Sequence, residues 1–172
     1  MPPHPRTDQP AASLDAGIRP ARLPDIPAIR ELITGFAAKG QMLERSTDAL
    51  CDRMREFLVI EDVNGRIGGC AAIHIYTESV AELRSLAVVV EVQGRGYGRR
   101  LVEGCVSEAQ SWGLRCLICL TYQVDFFSRL GFVRVDRSRF PAKVWSDCVR
   151  CPSFLDCREV AMWRQLPRRA GA

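Results

Sequence analysis

The chain has 172 residues, 47% of them hydrophobic and 26% charged, with 24 Lys and Arg against 20 Asp and Glu. That balance excludes disorder throughout, and no apolar run of about 18 residues is present to span a membrane. The net charge of +4 comes almost wholly from arginine, with acids interspersed, so no basic stripe for nucleic acid stands out.

A chain of this length is expected to form one domain. Residues 1–16 carry four prolines and lack both hydrophobic periodicity and the apolar core of a signal peptide, which reads as a disordered leader on a cytoplasmic protein. The folded domain is expected over 17–166 and a polar tail over 167–172. A short strand is predicted at Ile18–Ala21. Asp25 is the N-cap of a helix with Pro27 in its first turn, Ile26, Ile29, Leu32, Ile33 and Phe36 as its apolar face, and Gly40 as its stop. A second helix starts at Ser46, with Leu50, Met54 and Phe57 at helical spacing. The period then changes to that of strands: Phe57–Glu61 and Arg66–Tyr76 flank Asn64-Gly65, a hairpin signal. A strand at Ala81–Val90 leads into Gly94–Gly98 and a helix over Tyr97–Gly113, with Leu101, Val102, Cys105, Val106 and Ala109 as its buried stripe. Leu114–Thr121 is nearly all apolar, as a strand covered on both faces would be. A short helix over Val124–Leu130, a strand at Phe132–Val135 and a last strand at Glu159–Leu166 complete an α/β (α+β) fold. Its sheet is mixed and mostly antiparallel, with helices on both faces.

The glycine loop carries the chemistry. A strand enters Gln93-Gly94-Arg95-Gly96-Tyr97-Gly98-Arg99-Arg100, and an amphipathic helix leaves it. Glycines let the backbone approach a ligand, and the unpaired N–H groups of a helix N-terminus suit phosphate. The spacing fits neither the Rossmann fingerprint nor a P-loop. It does resemble the signature of the GNAT superfamily of acyl-CoA N-acyltransferases, Gln/Arg-x-x-Gly-x-Gly/Ala. Phe126-Phe127-Ser128-Arg129-Leu130-Gly131-Phe132 is similar to a second block of that family.

The resemblance implies a GNAT fold and acetyl-CoA as co-substrate. The pantetheine arm would pair with Leu86, Ala87 and Val88, and the amides of Gln93, Gly94, Arg95, Gly96, Tyr97 and Gly98, with Arg99, would hold the pyrophosphate. Leu43-Glu44-Arg45-Ser46, Glu82–Val88, Leu120-Thr121 and Lys143–Cys148 are similar to short amino-acid N-acetyltransferases of the N-acetylglutamate synthase kind. Larger synthases place a kinase-like domain ahead of this one, for which the chain has no room. The implied acceptor is a small amino acid, L-glutamate first, in arginine biosynthesis. Arg45, Arg84 and Lys143 would meet its carboxylates. Glu82, two residues from Arg84 on one strand face, is the candidate base. Phe127 stands where many members have a tyrosine, so Tyr122, or else Tyr97, becomes the candidate acid.

Five cysteines, Cys51, Cys70, Cys105, Cys116 and Cys119, read as small core residues, and the apolar neighbours of Cys119 argue against an acetyl-cysteine route. Cys148, Cys151 and Cys157 have spacing that suits a structural zinc site or a cluster of reduced thiols. Other amines, an antibiotic, a protein N-terminus or a non-catalytic acyl-CoA sensor remain open, as does a homodimer.

Overall fold

The computed structural model describes residues 17–140, 148, 149, 151 and 156–167. The leader, the residues after Pro167 and Lys143 lie outside the described residues. Seven strands form one sheet: β1 (Ile18–Pro20), β2 (Phe57–Glu61), β3 (Ile67–Ile75), β4 (Val80–Val88), β5 (Cys116–Thr121), β6 (Val133–Arg134) and β7 (Val160–Gln165). Their spatial order is β1-β2-β3-β4-β5-β7-β6, and among the described residues β4–β5 is the one parallel pair. The α-helices with described bounds are α1 (Ile26–Ala37), α2 (Thr47–Asp52), α3 (Tyr97–Ser111) and α4 (Val124–Arg129). No helix among the described residues is long and apolar enough to cross a membrane.

Alternation along the strands gives each sheet face its own core. Ala71 and Ile73 of β3 pack with Leu101, Val102, Cys105, Val106 and Ala109 of α3, the stripe expected from the sequence. Cys70 and Ala72 point the other way, to Ile26, Ile29 and Ile33 of α1 and Leu50 of α2. On β4 the alternation breaks. Ala81 and Leu83 face α3, whereas Ala87, of the same parity, faces α1. The cause is an extra residue. Ala72 pairs with Arg84 but Cys70 pairs with Ala87, so Ser85 and Leu86 together oppose Ala71. Ser85 takes the strain of this bulge in the left-handed region, at φ 53°.

The element ends follow local chemistry. Ser46 Oγ accepts from the Ala49 amide at 3.2 Å and caps α2 as expected. That helix stops at Asp52, before the predicted run through Met54 and Phe57. Met54–Glu56 form a single 3-10 turn, and Phe57 already belongs to β2. Asp25 does precede α1, but its carboxylate caps no amide inside the helix. It accepts from the Arg22 amide at 2.7 Å and from Arg19 at 2.7 and 3.0 Å. Cys70, Cys105, Cys116 and Cys119 are buried as predicted. Cys51, on the outer side of the short α2, is exposed.

Two glycines of β3 set how closely α3 approaches the sheet. A Cβ at Gly68 would lie 2.7 Å from Cε1 of Tyr97, and one at Gly69 would lie 2.8 Å from the Ala87 carbonyl and 3.0 Å from Leu101 Cδ1. The backbone contact at Gly69 has no side-chain freedom with which to yield. Gly69→Ala should therefore destabilise the protein by about 1–3 kcal/mol through overpacking, read as a lower denaturant midpoint at unchanged slope.

Candidate functional site

The β4–β5 ladder is short. Val80, Ala81 and Glu82 pair with Cys116, Leu117 and Ile118, and there the register ends. Beyond it the bulge turns β4 away, while β5 stays paired with β7 out to Thr121 and Val160. The strands part like a V and open a cavity of about 630 Å3. Its walls are Glu82–Leu86 of β4, Cys119–Gln123, Phe126 and Phe127 of α4, and the segment after α1 that carries Met42, Leu43 and Arg45. Arg137, Cys148, Cys151, Cys157 and Glu159 close it on the C-terminal side.

The glycine loop lies at the far end of β4. After Val88 the chain makes one 3-10 turn at Val90–Val92, and the Gln93 side chain donates to the Val88 carbonyl at 3.0 Å. Gly94 and Gly96 take φ of 76° and 84°, conformations that L side chains rarely adopt. Gly96 caps α3, so the next amides begin a helix with no partner in a preceding turn. Arg95 and Arg99 are exposed beside them. Gly98 meets α4, since a Cβ there would lie 3.3 Å from Phe126 Cζ. Tyr97 contributes backbone alone. Its side chain is 2% exposed, packs in the core and does not line the cavity, which removes it as a proton donor there. Ala87 is buried, and Leu86 lies on the cavity wall.

Glu82 and Arg84 share a face of β4 as predicted, and a connected polar network surrounds them. Tyr76 Oη donates to Glu82 Oε2 at 2.8 Å. Arg84 NH2 donates to Glu56 Oε2 at 2.9 Å. Glu56 Oε1 is 2.9 Å from Nδ1 of His74, and Arg53 NH1 is 3.1 Å from the same nitrogen. One ring nitrogen cannot donate and accept at once, so the ionised Glu56 takes the proton-bearing side and Arg53 is held by charge. Burial pushes the Glu56 carboxyl up, but the His74 hydrogen bond and the Arg84 charge outweigh it and leave the group below its usual range. Sequence reasoning missed Glu56 and His74. Counting back from the hairpin, in which Tyr76 bonds to Val80, would have placed His74 opposite Glu82.

Tyr122 is 47% exposed on the cavity wall, and its phenol is pushed up by desolvation and by Glu159, so it stays protonated at neutral pH. Phe127 is buried edge-on to Phe126 and Phe132. Burial raises the Cys119 thiol well above its ordinary value, with Glu82 and Glu159 adding to the effect, so the acetyl-cysteine route lacks its thiolate.

The zinc reading is not supported. Among the described residues no group of three or more His, Cys, Asp and Glu is disposed to hold a metal ion. The Arg137 guanidinium lies 3.4 Å from Cys157 Sγ, where a second cation would be repelled. Burial, with Glu82 next, pushes the Cys148 thiol up to about 11. The three thiols are instead part of the cavity wall. Glu159 and Arg137 are additions that the sequence did not suggest. Arg137 grips the backbone carbonyls of Cys157 and Glu159, and burial raises the Glu159 carboxyl.

A mixed sheet that splits between two parallel strands, beside a glycine loop opening a helix, defines an acyl-CoA-dependent transferase architecture. Comparison with known proteins agrees. The acetyltransferase (GNAT) domain profile matches residues 53–134. An uncharacterized N-acetyltransferase of Chlorobaculum tepidum is 40% identical over 152 residues, covering 88% of this chain and 97% of that one. An amino-acid acetyltransferase of Mycobacterium tuberculosis is 32% identical over 135 residues, 77% of each chain. N-acetylglutamate synthase of Neisseria gonorrhoeae, solved with coenzyme A and N-acetyl-glutamate, superposes with a TM-score of 0.82 at 29% identity. That match covers 89% of this chain and 35% of the synthase. The chain belongs to the GNAT acetyltransferase family, and its reaction class is acetyl transfer from acetyl-CoA to an amine.

Burial separates the thiols in a way that can be measured. Iodoacetamide at pH 8 should modify Cys51, Cys151 and Cys157 first and Cys148 more slowly, with Cys70, Cys105 and Cys119 protected until denaturant is added. Peptide mass mapping reads the order.

Proposed function

We propose that the protein acetylates the α-amine of an amino acid, L-glutamate foremost, a reaction of arginine biosynthesis. The observation that supports this best is the charge of the cavity. Arg45, Arg84 and Arg137 line it together with the carboxylates of Glu82 and Glu159, a setting for a zwitterion with an extra carboxylate. The named amino-acid acetyltransferase and the synthase superposition support the same choice.

In this reading the edge of β4 beyond Glu82, which β5 leaves, takes the pantetheine amides along Leu86, Ala87 and Val88. The amides of Gln93–Gly98, with Arg95 and Arg99, take the pyrophosphate. Arg45 and Arg84 hold the acceptor's carboxylates, and Lys143 is proposed as a third cation. Glu82 accepts a proton from the acceptor ammonium, giving the neutral amine that attack requires. The amine nitrogen bonds to the thioester carbonyl carbon, and the carbon–sulfur bond then breaks. Tyr122 donates its proton to the departing thiolate, the role Phe127 lacks the hydroxyl to fill, and regains one from the acetylated nitrogen, which sheds its second proton as the amide forms.

The test is product identification by mass after incubation with acetyl-CoA and a panel of amino acids, amines and short peptides. N-acetylglutamate should form and saturate. Arg45→Ala should raise KM for glutamate about tenfold, the loss of one charge-assisted contact, and leave KM for acetyl-CoA unchanged. Turnover of another amine with none of glutamate discards the acceptor and keeps the transfer.

A further inference from the structure

Arg84 stands between two carboxylates at unequal distances. Its NH2 group is 2.9 Å from Glu56 Oε2, and its NH1 group is 3.9 Å from Glu82 Oε2. The first is a charge-assisted hydrogen bond; the second is too long for one. Glu56 does not line the cavity. It lies in the 3-10 turn between α2 and β2, beside Arg84 and His74 on the sheet face that carries α1. Its other oxygen is fixed by His74 on the neighbouring strand, so it cannot follow Arg84 toward the cavity.

We propose that Glu56 is a positioning residue that holds Arg84 off Glu82 and keeps Glu82 able to take the acceptor's proton. The proposal rests on the reading of Glu82 as the base. Glu82 Oε2 already accepts from the Tyr76 hydroxyl. A guanidinium drawn onto the same carboxylate would stabilise its ionised form further and weaken it as a proton acceptor. The Arg84 side chain is 10% exposed, so little water is present to screen that pairing. Closing the gap takes about 1 Å of movement, well within one side-chain rotation. Glu56 supplies the competing attraction from the opposite side, and its carboxyl, held below the usual range, keeps its charge at neutral pH.

The test compares Glu56→Ala, Glu56→Gln, Arg84→Met, Glu56→Ala with Arg84→Met, and Glu82→Gln, using glutamate or whichever amine the wild type acetylates. Acetyl-CoA affinity by calorimetry confirms that each variant retains its fold. Glu56→Ala should lower kcat about tenfold with both KM values within about twofold, a loss confined to the chemical step. Adding Arg84→Met should raise the acceptor KM, because Arg84 also holds an acceptor carboxylate, yet restore most of the kcat read at saturating acceptor, because the cation that captured Glu82 is gone. Glu56→Gln, which keeps an oxygen for Arg84, should lose less. A rise in acceptor KM at unchanged kcat overturns the proposal, as does a kcat loss that Arg84→Met fails to relieve. Glu82→Gln separates the two claims. A fall of roughly 100-fold there with Glu56→Ala inert overturns the positioning role alone. An unchanged kcat in Glu82→Gln removes the base and the positioning role together, and so does a wild type that acetylates no amine in the panel.

Discussion

Everything in the site depends on β4 and β5 being paired for three residues and then parting. A parallel ladder that ran on would fill the cavity with sheet and leave no backbone edge for a cofactor arm. The ladder ends because β4 contains one residue more than β3 can match, and that residue, Ser85, accepts a left-handed backbone. A non-glycine residue there costs on the order of 1 kcal/mol. The fold offsets this cost by giving β4 two facings. Leu83 is committed to the α3 core and Ala87 to the α1 core, so the strand is anchored on both sides of the kink. The kink is thus fixed by packing on two faces, with the Cys70 thiol donating to the Ser85 carbonyl at 3.6 Å.

The glycine loop is the second consequence. Because β4 ends in line with the N-terminus of α3, its last carbonyl and the first helix amides belong to one short stretch of chain. Gln93 bonds back to Val88 and ties the two ends of that stretch together. Gly94 and Gly96 supply the reversals, and Gly98 lets α4 come close. Each of these positions serves the backbone, which is why a spacing of glycines could be read in the sequence without knowing the sheet.

That contrast explains what was legible. The stripes of α1 and α3 and the two family blocks are local, and the structure has them at the expected residues. Tyr97 shows the limit: its place in the motif is local, but the direction of its ring is set by Gly68 on another strand. Glu56 lies further from view. In the sequence it continues the period of a predicted helix, and only the early stop of α2 and the register of β3 against β4 bring it under Arg84. Glu159 opens the predicted last strand but stands one residue ahead of β7, and Arg137 sits in a single 3-10 turn, so periodicity assigns neither to the cavity.

The thiols follow the same logic in chemical form. A Cys-x-x-Cys spacing says how far apart two sulfurs can be, but nothing about the field they sit in. Here that field is set by Glu82, by Glu159 and by burial, all of which favour the neutral thiol at Cys148, while Arg137 occupies the side of Cys157. A cavity wall that carries cysteine sulfurs is polarizable and weakly polar. It leaves the arginines and the two glutamates as the groups that orient a charged acceptor. Arg84 has Glu82, on the cavity wall, and Glu56, outside the lining, among its charged neighbours. How its single positive charge is shared between them decides whether Glu82 acts as a structural counter-ion or as a base.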